Sequence, residues 1–384
     1  MRLLHTADWH IGKGLRGRSR MDEHQQALDE VLDIVKSEKI DCFLHAGDIF
    51  DSLAPPAEAE QAVYRFFAKL AEIKVPAVII GGNHDHPKRL EALRPLLDTM
   101  KIHLRSEVAP PEDAGLIELE LGKDKLRVAA VPFVAEHKLV DAELLMGVQA
   151  DCTGAYADRM SGMIDMLSES FTPDAVNIIL AHVFVMDAQS AGSERAVHLA
   201  KPYAIPAPRF PTTASYIALG HLHRPQQIPA PSQAHYAGPL LQLDFGEQEQ
   251  IKRVAIIEAK PGITAKMHSV NITAGRRLRD VKCSLYELQS KVKEWKGSDF
   301  LRVTVELEQP QLGLADKVRE MLPLALDVQV VLPRRPDPEP PPARHLSPLE
   351  LFQRYYETNK GGTLPEAHAR AFLKLLEEAG HASH

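Results

Sequence analysis

The sequence predicts an α/β protein whose first part is a parallel sheet, with a smaller α+β unit and a helical tail behind it. Three observations carry this. Short apolar, β-branched runs alternate with segments of helical spacing. Several of these runs stop at glycine, aspartate, asparagine or histidine, where parallel strands present their carboxyl ends to ligands. A proline-dense stretch, Pro333 to Pro342, then separates the body from a short amphipathic tail.

Taken in order, Leu3 to Thr6 reads as a strand running into Asp8 and His10. Lys13, Arg16, Arg18 and Arg20 follow in a Gly- and Arg-rich loop, which either contacts a phosphate backbone or is a solvated basic loop. Met21 to Lys39 has an apolar stripe at helical spacing. Ile40 to Ala46 is the second strand and ends at Gly47 and Asp48. Ala57 to Ile73 is a helix after Pro55-Pro56. Val75 to Ile79 is the third strand, followed by Gly81-Gly82-Asn83-His84-Asp85. Strand, helix, strand, helix, strand predicts right-handed parallel crossovers.

Pro87 to Met100 is read as one helix, Leu116 to Leu121 and Leu126 to Phe133 as strands, and Ala155 to Ser170 as a helix. Val176 to Leu180 is a buried strand ending at His182; Ser215 to Leu219 is another, ending at Gly220-His221-Leu222-His223. The long loop between them, Val183 to Thr213, has the length of a functional loop. Ala234 to Ala237 and Arg253 to Glu258 are expected to complete a second sheet. Beyond Pro261, strands at Ile263 to Ile272, Phe300 to Leu307 and Asp327 to Leu332 alternate with helices at Asp280 to Glu294 and Leu314 to Met321. Ser347-Pro348-Leu349-Glu350 has the form of a capped helix start, and Pro365 to Ala379 builds a second tail helix.

The chain of 384 residues is 45% hydrophobic and 25% charged, enough for two or three domains with full cores. A net charge of -7 gives no global attraction to nucleic acid, so any such contact rests on local patches or a partner. Cys42, Cys152 and Cys283 lie in no metal or disulfide spacing, and Met1 to His5 contains no secretory apolar core. A soluble cytoplasmic protein is the expectation.

The strand ends present Asp8 with His10, Asp48, Asn83 with His84, His182, and His221 with His223. Nitrogen and oxygen donors without a thiolate suit Mn, Fe, Zn or Mg. The set is too large for one ion but suits two sharing a carboxylate, the arrangement that clamps the attacking and leaving oxygens at phosphorus. The residues therefore point to phosphoester hydrolysis. His5, His24, His45, His103 and His137 are read as packing histidines.

The ordered motifs D-x-H, G-D-x-x-D, G-N-H-D, a strand-end His and G-H-x-H resemble the calcineurin-like metallophosphoesterase superfamily. The stretches Leu3 to Gly12, Ala218 to Gln226 and Leu243 to Glu247 are similar to SbcD-type DNA nucleases, the bacterial Mre-type nuclease subunits. That resemblance implies a four-layer α/β/β/α metallophosphoesterase sandwich at 1–260 and a small α+β cap positioning DNA at 261–332. It further implies a Pro-rich linker at 333–345 and a helix-loop-helix at 346–384 that grips the coiled coil of an SbcC-like SMC-family ATPase. Two Mn2+, with Mg2+ as the alternative, would be held by Asp8, His10, Asp48 and His223, and by Asp48, Asn83, His182 and His221, with Asp48 bridging. His84 would contact the scissile phosphate and serve the leaving oxygen; Asp85 would either orient His84 or structure its loop. The implied activity is double-strand 3'-5' exonuclease and single-strand or hairpin endonuclease, in a nucleoid-associated homodimer. A phosphodiesterase for small esters and a non-catalytic scaffold for the ATPase are the alternatives.

Overall fold

The computed structural model of the chain describes residues 1–113, 115–135, 138–139, 142–143, 156–194, 204–309, 311–332 and 347–381. His137 and the proline-dense linker lie outside the described residues. One compact unit comprises Met1–Glu306 with Gln311–Val331; Leu307–Pro310 and Leu332–His384 form another.

The first sheet is built on β1 (Arg2–Thr6), β2 (Cys42–Ala46), β3 (Ala77–Ile80) and β4 (Ile102–Arg105), paired in parallel in that order. The crossovers include helices α1 (Met21–Ser37) and α2 (Ala57–Glu72). Every residue of β2 and β3 is buried, because the sheet is covered on both faces. One face carries Leu4, Phe43 and Ile79 against Leu28 and Val31 of α1 and Val63 and Phe66 of α2. The other carries Leu3, Leu44 and Val78 against the second sheet.

The segment expected to be one helix at Pro87 to Met100 is two, α3 (Pro87–Glu91) and α4 (Arg94–Thr99). Pro95 sits in the first turn of α4, the place where its missing N–H costs nothing, and so marks a new helix rather than an interior.

The second sheet runs β5 (Leu116–Leu121), β6 (Asp124–Val131), β7 (Ala175–His182), β8 (Tyr216–Gly220), β10 (Ala234–Tyr236), β9 (Gln226–Ile228). Leu126, Val128, Ile178, Leu180 and Ala218 face the first sheet. Ala129, Ile179 and Leu219 face outward onto α5 (Tyr156–Ser168), whose Met160, Met163, Ile164 and Leu167 are buried. The layers are therefore α/β/β/α, as expected.

Two later assignments change. β11 (Arg253–Lys260), expected in the second sheet, pairs instead antiparallel with β1, and β12 (Ile263–Asn271) pairs with β11. Without β11, the backbone polar groups on the open side of β1 would lack partners. The α+β unit therefore starts later than Pro261. It is a parallel three-stranded sheet of β13 (Leu278–Ser284), β14 (Phe300–Glu306) and β15 (Ala325–Val331), with α6 (Leu285–Trp295) and α7 (Leu314–Met321) as crossovers. The helix expected from Asp280 begins at Leu285 because Ser284 and Glu287 form a reciprocal capping box there.

In the other unit, α8 (Pro348–Lys360) opens with a capping box between Ser347 and Glu350. It meets α9 (Glu366–His381) through stacked Phe352 and Phe372 rings, 4.3 Å between centroids.

Candidate metal centre

β1, β2, β3, β7 and β8 all end at one place. There the backbone takes left-handed angles at Asp8, His10, Asp48 and His221, with φ of 54, 48, 57 and 103°. Non-glycine residues hold such angles at a cost, and strain of this kind collects at functional sites. Glycines make the approach possible. A Cβ on Gly82 would lie 2.2 Å from Asp48 Oδ1, and one on Gly47 would lie 2.4 Å from His182 Nδ1.

The side chains converge as follows. His10 Nε2 is 3.0 Å from His223 Nε2 and 3.5 Å from Asp48 Oδ2. His182 Nε2 is 3.5 Å from the same Asp48 oxygen and 2.9 Å from Asn83 Oδ1. His221 Nδ1 is also 2.9 Å from Asn83 Oδ1. Asp8, His10 and His223 form one cluster of possible ligand atoms, and Asp8, Asp48 and His182 another, with atoms within 4.8 Å of one another. Asp48 Oδ2 is equally near His10 Nε2 and His182 Nε2, at 3.5 Å from each.

Burial raises the Asp8 carboxyl well above its usual range, and the Asp48 charge adds to this. Burial would do the same to Asp48, but His182, His10 and His84 outweigh it and hold that carboxyl low. Burial brings His10 down to about 4, against the pull of Asp51. Imidazoles kept neutral beside carboxylates are in the state that binds a divalent ion.

The buried Asp8 Oδ2 has no hydrogen-bond partner among the described residues. His182 Nδ1 donates to the Ala46 carbonyl oxygen at 2.8 Å, so a neutral His182 presents the lone pair of Nε2 to the centre, beside the Asn83 amide oxygen. These features, together with an all-nitrogen and oxygen donor set, fit a pair of divalent cations.

Comparison with known proteins agrees. A calcineurin-like phosphoesterase model matches residues 1–225, and a type 5 capsule protein repressor C-terminal domain model matches residues 274–360. The chain is 36% identical over 386 residues to the SbcD component of the SbcCD nuclease of Bacillus subtilis (strain 168), covering 98% of this chain and 97% of that one. The chain belongs to the SbcD family of calcineurin-like phosphoesterases. The SbcD components from Rhodobacter capsulatus and Escherichia coli K12 are 34% and 26% identical. These matches cover 64% of both chains and, for the second, 87% of this chain and 85% of that one. As a member of this family the chain is a metal-dependent phosphoester hydrolase.

His84 stands at the half-buried rim of the SbcD-family site. Its Nδ1 is 2.7 Å from the Asp51 carbonyl oxygen, to which it donates, and its backbone N–H donates to Asp48 Oδ1 at 2.7 Å. The Asp85 carboxylate structures the loop: it accepts from the backbone N–H groups of Ile49, Phe50 and Gly82, at 3.1, 3.0 and 2.9 Å, tying two motif loops together.

The basic loop divides. Lys13 pairs with Asp51 at 3.0 Å, beside the site. Arg16 pairs with Asp327 of β15, and the Arg18 guanidinium lies 5.3 Å from the Phe300 ring centroid. Arg20 is not a surface contact: it is buried, bound to Glu23 and to the Gln242 carbonyl oxygen. His45 packs on Trp9, as a core histidine does.

Sequence reasoning assigns no role to Asp51, Ser193, Glu194, Glu247 or Lys252. Glu247 Oε1 is 3.2 Å from His223 Nδ1, and Glu194 accepts the His223 backbone N–H at 2.9 Å. Glu247 sits in the Leu243 to Glu247 stretch and Ser193 and Glu194 in the long loop, so the signals are present in the chain without a partner to interpret them.

Proposed function

We propose that this chain is the nuclease subunit of an SbcCD-like complex and hydrolyses DNA phosphodiester bonds with two Mn2+ in repair and recombination. The observation that carries this is His84, fixed at the rim of a complete two-ion donor set. Asp8, His10, Asp48 and His223 would hold one ion, and Asp48, Asn83, His182 and His221 the other. Bound ions would supply Lewis acidity toward the phosphoryl oxygens and an activated water. The Asp51 carbonyl oxygen accepts a hydrogen bond from His84 Nδ1–H, which would leave Nε2 to face the substrate and, once protonated, to give its proton to the leaving oxygen. Exonuclease cutting of duplex ends and endonuclease cutting of single strands and hairpins would share this centre.

Lys13, Arg16 and Arg18 would line the approach of the phosphate backbone. The α+β unit would act as the DNA-positioning cap. Exposed Leu351, Tyr355, Leu373, Leu375 and Leu376 on α8 and α9 support docking of an SbcC-like SMC-family ATPase there. A homodimer within a heterotetramer completes the reading.

The test is Mn2+-dependent digestion of linear duplex DNA by wild type and His84→Ala, with bis-p-nitrophenyl phosphate as control substrate. We expect His84→Ala to lose about 10²-fold or more of the rate while still binding Mn2+. Robust cleavage of the small ester with no DNA cleavage, even with the ATPase present, refutes the nuclease reading. Truncation at Pro333 should abolish co-purification with the ATPase.

A further inference from the structure

Glu247 is completely buried, and its two oxygens have different partners. Oε2 accepts from Lys252 Nζ at 2.6 Å and from the Leu243 backbone N–H at 3.1 Å. Oε1 accepts from the Ser193 hydroxyl, whose oxygen is 2.7 Å from His223 Nδ1. A carboxylate only accepts, and a serine hydroxyl has one proton to give. Once Ser193 donates to Glu247, its oxygen faces His223 as an acceptor, so Nδ1 must carry the imidazole proton. The lone pair is then left on Nε2, the nitrogen that faces the metal centre. Lys252 balances the buried charge, so the carboxylate supplies direction rather than net charge.

The loop that carries Glu247 is anchored elsewhere as well. Gln242 is buried, and its Nε2 faces the carbonyl oxygens of residues 247, 248 and 250 at 3.0, 2.9 and 3.0 Å. Its Oε1 accepts the backbone N–H of Leu278, the first residue of β13, at 2.7 Å. Gln248 adds a reciprocal pair with Asp280 on the same strand, at 2.9 Å to its N–H and 3.2 Å to its carboxylate. The turn between these anchors is stiffened by Asp244, which accepts the Gly246 N–H at 3.0 Å.

We infer that Glu247 is a positioning residue that fixes the tautomer of His223 through Ser193, and that Gln242 ties this device to the cap strand. The register of the cap then sets one end of the metal centre. This rests on the reading of His223 as a metal ligand given above.

The experiment uses the full chain freed of metal by chelator. Mn2+ dissociation constants come from titration calorimetry, and cooperative melting in EDTA monitors folding. Glu247→Gln places an amide where it can donate to Ser193, releasing the constraint. We expect one Mn2+ to bind about 10- to 100-fold more weakly. Glu247→Gln/Lys252→Met, which leaves no unpaired buried charge, should show the same loss. Gln242→Met touches neither His223 nor the Glu247 carboxylate, yet should weaken the same ion. At saturating Mn2+ it should recover cleavage of bis-p-nitrophenyl phosphate but not of duplex DNA.

Folded Glu247 variants that bind both ions as wild type does overturn the positioning role. A loss in the Glu247 variants with none in Gln242→Met overturns the cap link. The tautomer itself is read by 15N NMR of His223 in the wild-type apoprotein, whatever the variants do: a proton on Nε2 refutes the inference. Wild type that binds no Mn2+ but shows the Nδ1–H tautomer would instead refute the two-ion reading.

Discussion

Replacing Gly82 by alanine tests the geometry of the centre without touching a ligand. The added methyl would lie 2.2 Å from Asp48 Oδ1, 2.3 Å from the Asp48 backbone nitrogen and 2.7 Å from its Cγ. Ordinary contact begins near about 3.5 Å, so Asp48 or the Gly82 backbone must retreat by roughly an ångström. The backbone contact prevents escape by side-chain rotation alone. Asp85, which holds Gly82 and the backbone beyond Asp48 through the same carboxylate, resists the movement. Overpacking of this kind costs about 1–3 kcal/mol of stability. A shift of about 1 Å in a catalytic constellation costs roughly 10²-fold in rate. The assay is Mn2+-dependent hydrolysis of bis-p-nitrophenyl phosphate, with the melting temperature measured alongside. Gly162→Ala is the control: it lies within α5 with nothing within 4 Å of the added methyl, so it should gain up to about 1 kcal/mol and leave the rate unchanged. Gly82→Ala retaining activity within about threefold of wild type refutes the idea that this glycine admits Asp48 to its bridging position.

Asp85→Asn replaces an acceptor of three N–H groups by an amide that can accept from one side only, and should cost about 2–4 kcal/mol, read as a fall in urea midpoint. Burial pushes His24 down to about 4, against its bond to the Lys13 carbonyl, so folding excludes a proton that the unfolded chain takes up below pH about 6.5. The chelated protein should therefore lose stability as pH falls from about 6.5 towards 4; His24→Gln, which can still donate to Lys13, should make that loss shallower by one proton in urea titrations at several pH values. Mn2+ at about a hundred times its dissociation constant should stabilise the wild type by about 2.7 kcal/mol for each ion bound over the EDTA-treated protein, and a melting temperature indifferent to Mn2+ would show that the centre does not bind it.

The sequence by itself determined the parallel core and the cluster of candidate ligands. Both follow from local rules: a strand buried on two faces is an unbroken apolar run, and its carboxyl end is where polar residues accumulate. Asp8, Asp48, Asn83, His182 and His221 each stand just after such a run. The capping boxes at Ser284 and Ser347 are equally local, although only the second is evident from the helix pattern, because the apolar spacing before Leu285 continues back to Asp280. Tertiary structure alone decided which sheet each late strand joined, because β11 has the same apolar composition whichever edge it covers. It also decided that Arg20 is interior and that the Asp85 carboxylate clamps the motif loops through their backbone N–H groups. The contacts of Glu247 with Ser193, His223 and Gln242 join segments far apart in the chain or bend one segment back on itself. Periodicity reports which way a side chain faces; only packing reports what it meets there.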